Sequence, residues 1–168
     1  MAYFRFAAMI VTSTLVMFGM MYLNTFAADH VLFSETRAYM ALMMGAVMAV
    51  IMLLFMLKMY NNRRLNILII VGSATLFSTS LWLVRSQQTV DDVAYMKAMI
   101  PHHSIAILTS SRAHIRDPRV RTLSDGIIRT QVREIAEMKE LIRDIEKNPP
   151  AKGAPILPPG AGIADVHR

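Results

Sequence analysis

Cysteine is absent from all 168 residues of the chain, which excludes a disulfide framework and any thiolate metal ligand. Also missing are a nucleophile elbow, a phosphate-binding glycine loop and the HExxH zinc motif. Neither Glu134 nor Glu137 is followed three residues later by histidine, so the Glu-x-x-His ligand pair of di-iron bundles is missing too. No catalytic constellation remains, and the expectation is that the protein is not an enzyme. No internal repeat is evident. The formal charge of +6 does not signal nucleic acid, because residues 86–148 hold ten Lys/Arg against nine Asp/Glu. The basic excess sits at the flanks of apolar runs and in the C-terminal tail, where it serves topology, and no nucleic-acid partner is expected.

What the chain has in abundance is apolar surface, 54% of residues with a mean hydropathy of +0.39, more than an average soluble domain carries. Three runs account for it, at about 6–23, 38–57 and 65–84, each near the ~20 residues that cross a bilayer core. No charged residue falls within any of them. The first run could instead be a signal peptide, with Arg5 as its basic region and Thr25, Phe26 and Ala27 as a poor cleavage site; three transmembrane helices is the reading adopted. The second connection carries Lys58, Arg63 and Arg64, whereas the first carries Asp29, Glu35 and only Arg37. The positive-inside rule therefore puts the N-terminus and the second connection in the cytoplasm. The first connection and everything after Arg85 then lie outside a bacterial inner (cell) membrane, in the periplasmic or extracellular space.

Residues 89–147 read as a helical hairpin. Thr89 is the expected N-cap, with Asp91 and Asp92 favouring the positive end of the helix dipole. Asp117 followed by Pro118 reads as a cap with proline at the first helical position, placing the turn near Arg116. Val93, Met96, Ile100, His103 and Ile107 recur at helical spacing. So do Val120, Leu123, Ile127, Gln131, Ile135, Met138, Leu141 and Ile145. Pro101 inside the first helix removes a hydrogen bond at a cost of ~3 kcal/mol, and a kink there is expected to free the carbonyl of Lys97 and re-aim the following residues. After Asn148, Pro149 and Pro150 the chain turns Pro/Gly/Ala-rich and is expected to be an extended tail.

The stretch Met96, Lys97, Ala98, Met99, Ile100, Pro101, His102, His103 concentrates the chemistry. Methionines three, four and seven residues before a histidine place thioether sulfur and imidazole nitrogen on one helical face. If the hairpin is antiparallel about position 117, Met96 faces Met138, Met99 faces Ile135 and His103 faces Gln131. The candidate metal ligands are thus Met96, Met99, His102, His103 and Met138, with Gln131 and Glu134 placed to orient an imidazole. Thioether and imidazole suit copper far better than calcium or magnesium, and Cu(I) better than Cu(II). His114 and His167 are left as ordinary residues. His30, beside Asp29, is a minor candidate for the same site. Met44, Met48, Met52 and Met56 form an i+4 ladder, read first as apolar filler and second as a copper conduit.

The M-I-P-H-H stretch, together with Gln131, Glu134, Ile135 and Met138 in a Q-x-x-E-I-x-x-M pattern, resembles a ferritin-like family of domains of unknown function. Its best-understood members, the CopM-type proteins, bind copper outside the cytoplasm. The likeness covers roughly residues 89–147 and departs at Ser104, where that family usually has Gln. It implies copper as the bound ion and a ferritin-like half-bundle as the fold.

The expected protein is all-α. Residues 1–86 form a membrane domain of three transmembrane helices, 87–148 an extracytoplasmic metal-binding hairpin, and 149–168 a tail. A lone hairpin buries little surface, so a homo-oligomer, dimer or higher, is expected to complete a four-helix bundle. Ala41, Gly45 and Ala49 are a small-residue face able to assist that pairing. The expected function is copper binding for resistance, storage or transfer, with the lipid bilayer as anchor. The alternative is a membrane-anchored structural or interaction module whose His/Met cluster is packing or a pH-responsive contact.

Overall fold

The computed structural model of the protein describes residues 2–151 and 153–160; His167 and the last residues of the tail lie outside them. Five α-helices follow one another: α1 (Ala2–Met20), α2 (Glu35–Phe55), α3 (Arg63–Ser86), α4 (Asp92–Arg112) and α5 (Pro118–Lys147), with a short 3₁₀ turn at Ala28–His30. Helices α1, α2 and α3 are each long and apolar enough to cross a membrane. They also wear their apolar side chains outward: Val11, Leu15, Leu68, Val71 and Trp82 are all more than half exposed. An aqueous surface does not tolerate that much contiguous apolar area, whereas a bilayer solvates it.

Two of the helices begin before their apolar runs because polar side chains cap them. The Ser34 side chain accepts from the backbone N–H of Arg37, and Asn62 accepts from Arg64 and Leu65. Helix α2 is the axis of the membrane half. Both α1 and α3 pack on it, and α1 meets α3 near its own start, where the Tyr3 hydroxyl donates to Asn66 Oδ1 at 2.8 Å and Ile69 packs against the Phe6 cluster. Gly45 explains the close approach of α1, since a Cβ there would lie 2.4 Å from Thr14 Oγ1. Ala41, Ala46 and Ala49 are buried along the same helix. The small-residue face expected to assist pairing between chains is therefore in use within one chain. Ser73 and Ser80 are the buried residues of α3, whose helix partner is α2.

Helices α4 and α5 form the expected hairpin. The cap of α4 is Asp91, whose side chain accepts from Ala94 N–H at 2.7 Å, rather than the expected Thr89. The Thr89 hydroxyl instead meets Tyr39 at the start of α2, 2.9 Å away. Asp117 caps α5 and Pro118 opens it, as the sequence indicates. Helix α4 runs unbroken through Pro101, which is fully buried. The core of the hairpin is Met96, Ile100, Ile107, Ile135 and Ile142, with Leu32, Val93, Met138 and Ile145 packed against it.

The expected apolar stripe of α5 is only partly inward. Ile135, Met138 and Ile145 face α4, but Leu141 gives way to Ile142, one residue further round the helix. Near the turn Ser124 is the inward residue, donating to the Ser110 carbonyl at 3.1 Å, while Val120 and Leu123 stay about half exposed or more. A small side chain lets the helices approach there and rotates the larger ones outward. The register also drifts from a simple mirror about 117: Lys97, opposite Glu137 in that mirror, pairs with Glu146 at 2.8 Å.

Several contacts join the two halves. The connection between α1 and α2 folds onto the hairpin, where fully buried Ser104 accepts from the Phe26 backbone N–H at 2.7 Å and meets His30 Nδ1 at 2.9 Å. Lys139 of α5 binds Asp29, and Leu32 packs on the hairpin core. The α1–α2 connection and the hairpin therefore share one end of the membrane helices. Tyr3, Phe6 and Tyr60 cluster with Asn62 and Asn66 at the other.

Candidate metal centre

A cleft of about 450 Å³ opens between α4 and α5 and is lined by Met96, Met99, His103, Glu134 and Met138, with Asp92 and Glu137 on its rim. Each arrives for a local reason. Met96, Met99 and His103 stand seven, four and no residues from one another on α4, which stacks them on one side. Glu134 and Met138 are an i+4 pair on α5. Ile100 and Ile135, buried behind them, hold the two helices in this register.

His103 Nδ1 lies 3.1 Å from Glu134 Oε2, close enough for an ion pair but off the direction of a hydrogen bond, and among the described residues that buried nitrogen has no hydrogen-bond partner. Burial pushes the His103 imidazole below its ordinary pKa, Glu134 opposes that, and His102 adds to it. The net result is a neutral ring with a lone pair free at neutral pH, the state in which histidine ligates metal. The Gln131 amide sits 3.5 Å from the same Glu134 oxygen, at the outer limit of a hydrogen bond, and does not line the cleft.

His102 goes elsewhere. Consecutive helical residues diverge by about 100°, and the two imidazole centroids are 6.1 Å apart with planes tilted by 60°. His102 lines a second cleft, of about 480 Å³, between α4 and the near ends of the membrane helices, which Met21, Met40 and Met99 also line. His30 lies at neither cleft; its ring is occupied by Ser104. Of the methionine ladder, Met44, Met48 and Met52 line a shallow apolar groove on α2 beside Phe77, and Met56 packs with the aromatic cluster at the far end.

Sequence reasoning missed Ser104 as a docking residue. Its signal was a small polar residue on the apolar face of α4, four residues after Ile100 and three before Ile107.

A family profile for a domain of unknown function (DUF305) matches residues 92–162, the segment containing both helices of the hairpin. Uncharacterized protein L153 of Acanthamoeba polyphaga mimivirus is 32% identical over 106 residues, covering 62% of this chain and 68% of that protein. The chain belongs to the DUF305 family. Its likeness to the mimivirus protein is longer than the domain itself. No solved structure matches. In this DUF305 protein, among the described residues, no three His, Asp or Glu side chains gather as a metal-binding cluster. The candidate donors of the first cleft are instead three thioethers and one imidazole.

Proposed function

We propose that this DUF305 protein is a membrane-anchored, extracytoplasmic copper-binding protein serving copper resistance, storage or transfer. The observation that carries the reading is the first cleft, which brings Met96, Met99, Met138 and a neutral His103 together beside Glu134. The Glu134 carboxylate, 3.1 Å from His103 Nδ1, is placed to orient the imidazole once an ion binds. Three neutral soft donors and one imidazole favour Cu(I), and the carboxylates of Asp92, Glu134 and Glu137 attract a cation without supplying the oxygen cage that calcium or magnesium needs. Copper is the cargo rather than a fixed cofactor.

The location follows from Lys58, Arg63 and Arg64 beside the aromatic end of the membrane helices. Positive-inside placement of that end in the cytoplasm puts the α1–α2 connection and the hairpin on the outer side, where metal arrives. A second copy is the natural cover for the half-exposed Val120, Leu123 and Leu141 on α5, completing a four-helix bundle.

One observation favours the alternative of a structural or interaction module. Met96 is only 6% exposed and belongs to the hairpin core, as a filler methionine would. Competition titration of the purified full-length protein against a Cu(I) chelator separates the two readings. Met138→Leu nearly conserves volume and keeps the fold. It is expected to weaken Cu(I), and His103→Ala to weaken Cu(I) and Zn(II) alike. Unchanged Cu(I) binding by Met138→Leu would mean that the methionines only pack.

A further inference from the structure

We propose that the second cleft is a separate Cu(I) site, in which His102, Met21 and Met40 act as ligands and Met99 is shared with the first. The proposal rests on the copper reading of the first cleft and extends it to residues outside the DUF305 domain. Helix geometry splits the two adjacent histidines between two surfaces, so the M-I-P-H-H stretch serves two clefts instead of one. Met99 lies on the boundary and lines both. Met21 follows the end of α1, and Met40 is in the second turn of α2, so three separate parts of the chain line the cleft that holds His102. Three of the four donors are thioethers and the fourth is an imidazole, the set that selects Cu(I) over harder ions. His102, on the hairpin side of the cleft, is exposed.

Arg37 also lines this cleft and decides its strength. Its guanidinium donates to the Met21 carbonyl and lies over the Tyr22 ring, 4.4 Å from the centroid. That arrangement fixes the Met21 backbone, but the charge still opposes a bound cation. The first cleft carries three carboxylates and the second this one cation, so the second site binds Cu(I) more weakly. The weaker site is also the one nearer the membrane, and from Met40 the α2 methionines continue at four-residue steps through Met44, Met48 and Met52. The pair of clefts forms a step from a tight site on the hairpin to a looser site at the membrane helices, with Met99 as the donor common to both.

The test is Cu(I) titration of the detergent-solubilised full-length chain in the presence of a graded chelator. The wild type is expected to take two ions per chain in two resolved steps. Met40→Leu combined with His102→Ala should abolish the weaker step and leave the tighter one in place; Met40→Leu conserves volume, and the helical circular dichroism of the variant checks its fold. His103→Ala should remove the tighter step alone, and Met99→Leu should weaken both. One ion in the wild type, unaffected by the Met40/His102 variant, overturns the second site and leaves the copper reading standing. Two ions that both survive that variant also overturn it, since the second ion would then lie elsewhere. No Cu(I) binding at all overturns the reading of the first cleft and this inference with it.

Discussion

Replacing Ser104 by alanine should release the α1–α2 connection from the hairpin without unfolding either. Ser104 is fully buried, and its hydroxyl is the partner of both the Phe26 amide and His30 Nδ1. Alanine removes both partners and leaves little void, so the effect is one of polar groups left without hydrogen bonds. Phe26 is 49% exposed, and water can replace the lost acceptor there. His30 is only 9% exposed, and its ring nitrogen is left dry. An unsatisfied buried group of this kind costs about 1–3 kcal/mol, which is about 5- to 150-fold in the docking equilibrium. The Lys139–Asp29 pair and the Leu32 contact persist, so the segment loosens rather than detaches. Amide hydrogen exchange in detergent micelles reads this directly. Residues 26–34, including the Leu32 amide bonded to the His30 carbonyl at 3.1 Å, should exchange faster by that factor, while the amides of α5 stay unchanged. Thr109→Ala is the control, since its hydroxyl bonds only within its own helix. Unchanged exchange in the connection, or faster exchange spread evenly over the hairpin, would refute the docking role of Ser104.

Other outcomes follow from the same geometry. Burial, and then Lys139, hold the docked His30 imidazole below its ordinary pKa, with Asp29 opposing them. The undocked ring therefore binds a proton at higher pH than the docked one, and docking should be firm above about pH 6.5 and weaken as pH falls through and below it. An NMR titration of the His30 ring with a midpoint at or above 6.5 would contradict this. Gly45→Ala drives a methyl into Thr14 and should destabilise the protein by about 1–3 kcal/mol, seen as earlier thermal unfolding in detergent. Adding Thr14→Ala should restore most of the loss, because the two sites are in contact. For orientation, Ala154→Cys should react with an impermeant maleimide in intact cells and Asn61→Cys should not, against a background free of other cysteines; the reverse labelling would invert the topology.

Much of the architecture was legible because its causes are local. A bilayer-length apolar run needs no tertiary information, and Asp117 before Pro118 marks a helix start by its own chemistry. The first cleft was legible in part, since an antiparallel hairpin brings Met96 and Met99 to Met138 at almost any register near the turn. What was not legible depends on contacts between distant segments. Ser104 and Phe26 stand 78 residues apart, and nothing near either one announces the other. The cap moved from Thr89 to Asp91 because Tyr39, on another helix, claims the threonine hydroxyl. The division of His102 from His103 was available in principle, from the rotation between consecutive helical residues. Which neighbours His102 would meet depended on where α1 ends and α2 begins.

The bond between Phe26 and Ser104 also sets an order of events during synthesis. At about 5–20 residues per second, the ribosome takes about 4–16 s to make Ser104 after Phe26. For that time the amide of Phe26 and the ring of His30 lack the partner they have in the folded chain. The membrane helices can pair as each emerges, since α1, α2 and α3 find their partners among themselves, but the connection between α1 and α2 cannot close until α4 has followed it to the same end of the helices. Closure of that connection therefore waits for α4, and a nascent chain halted before α4 would leave it open.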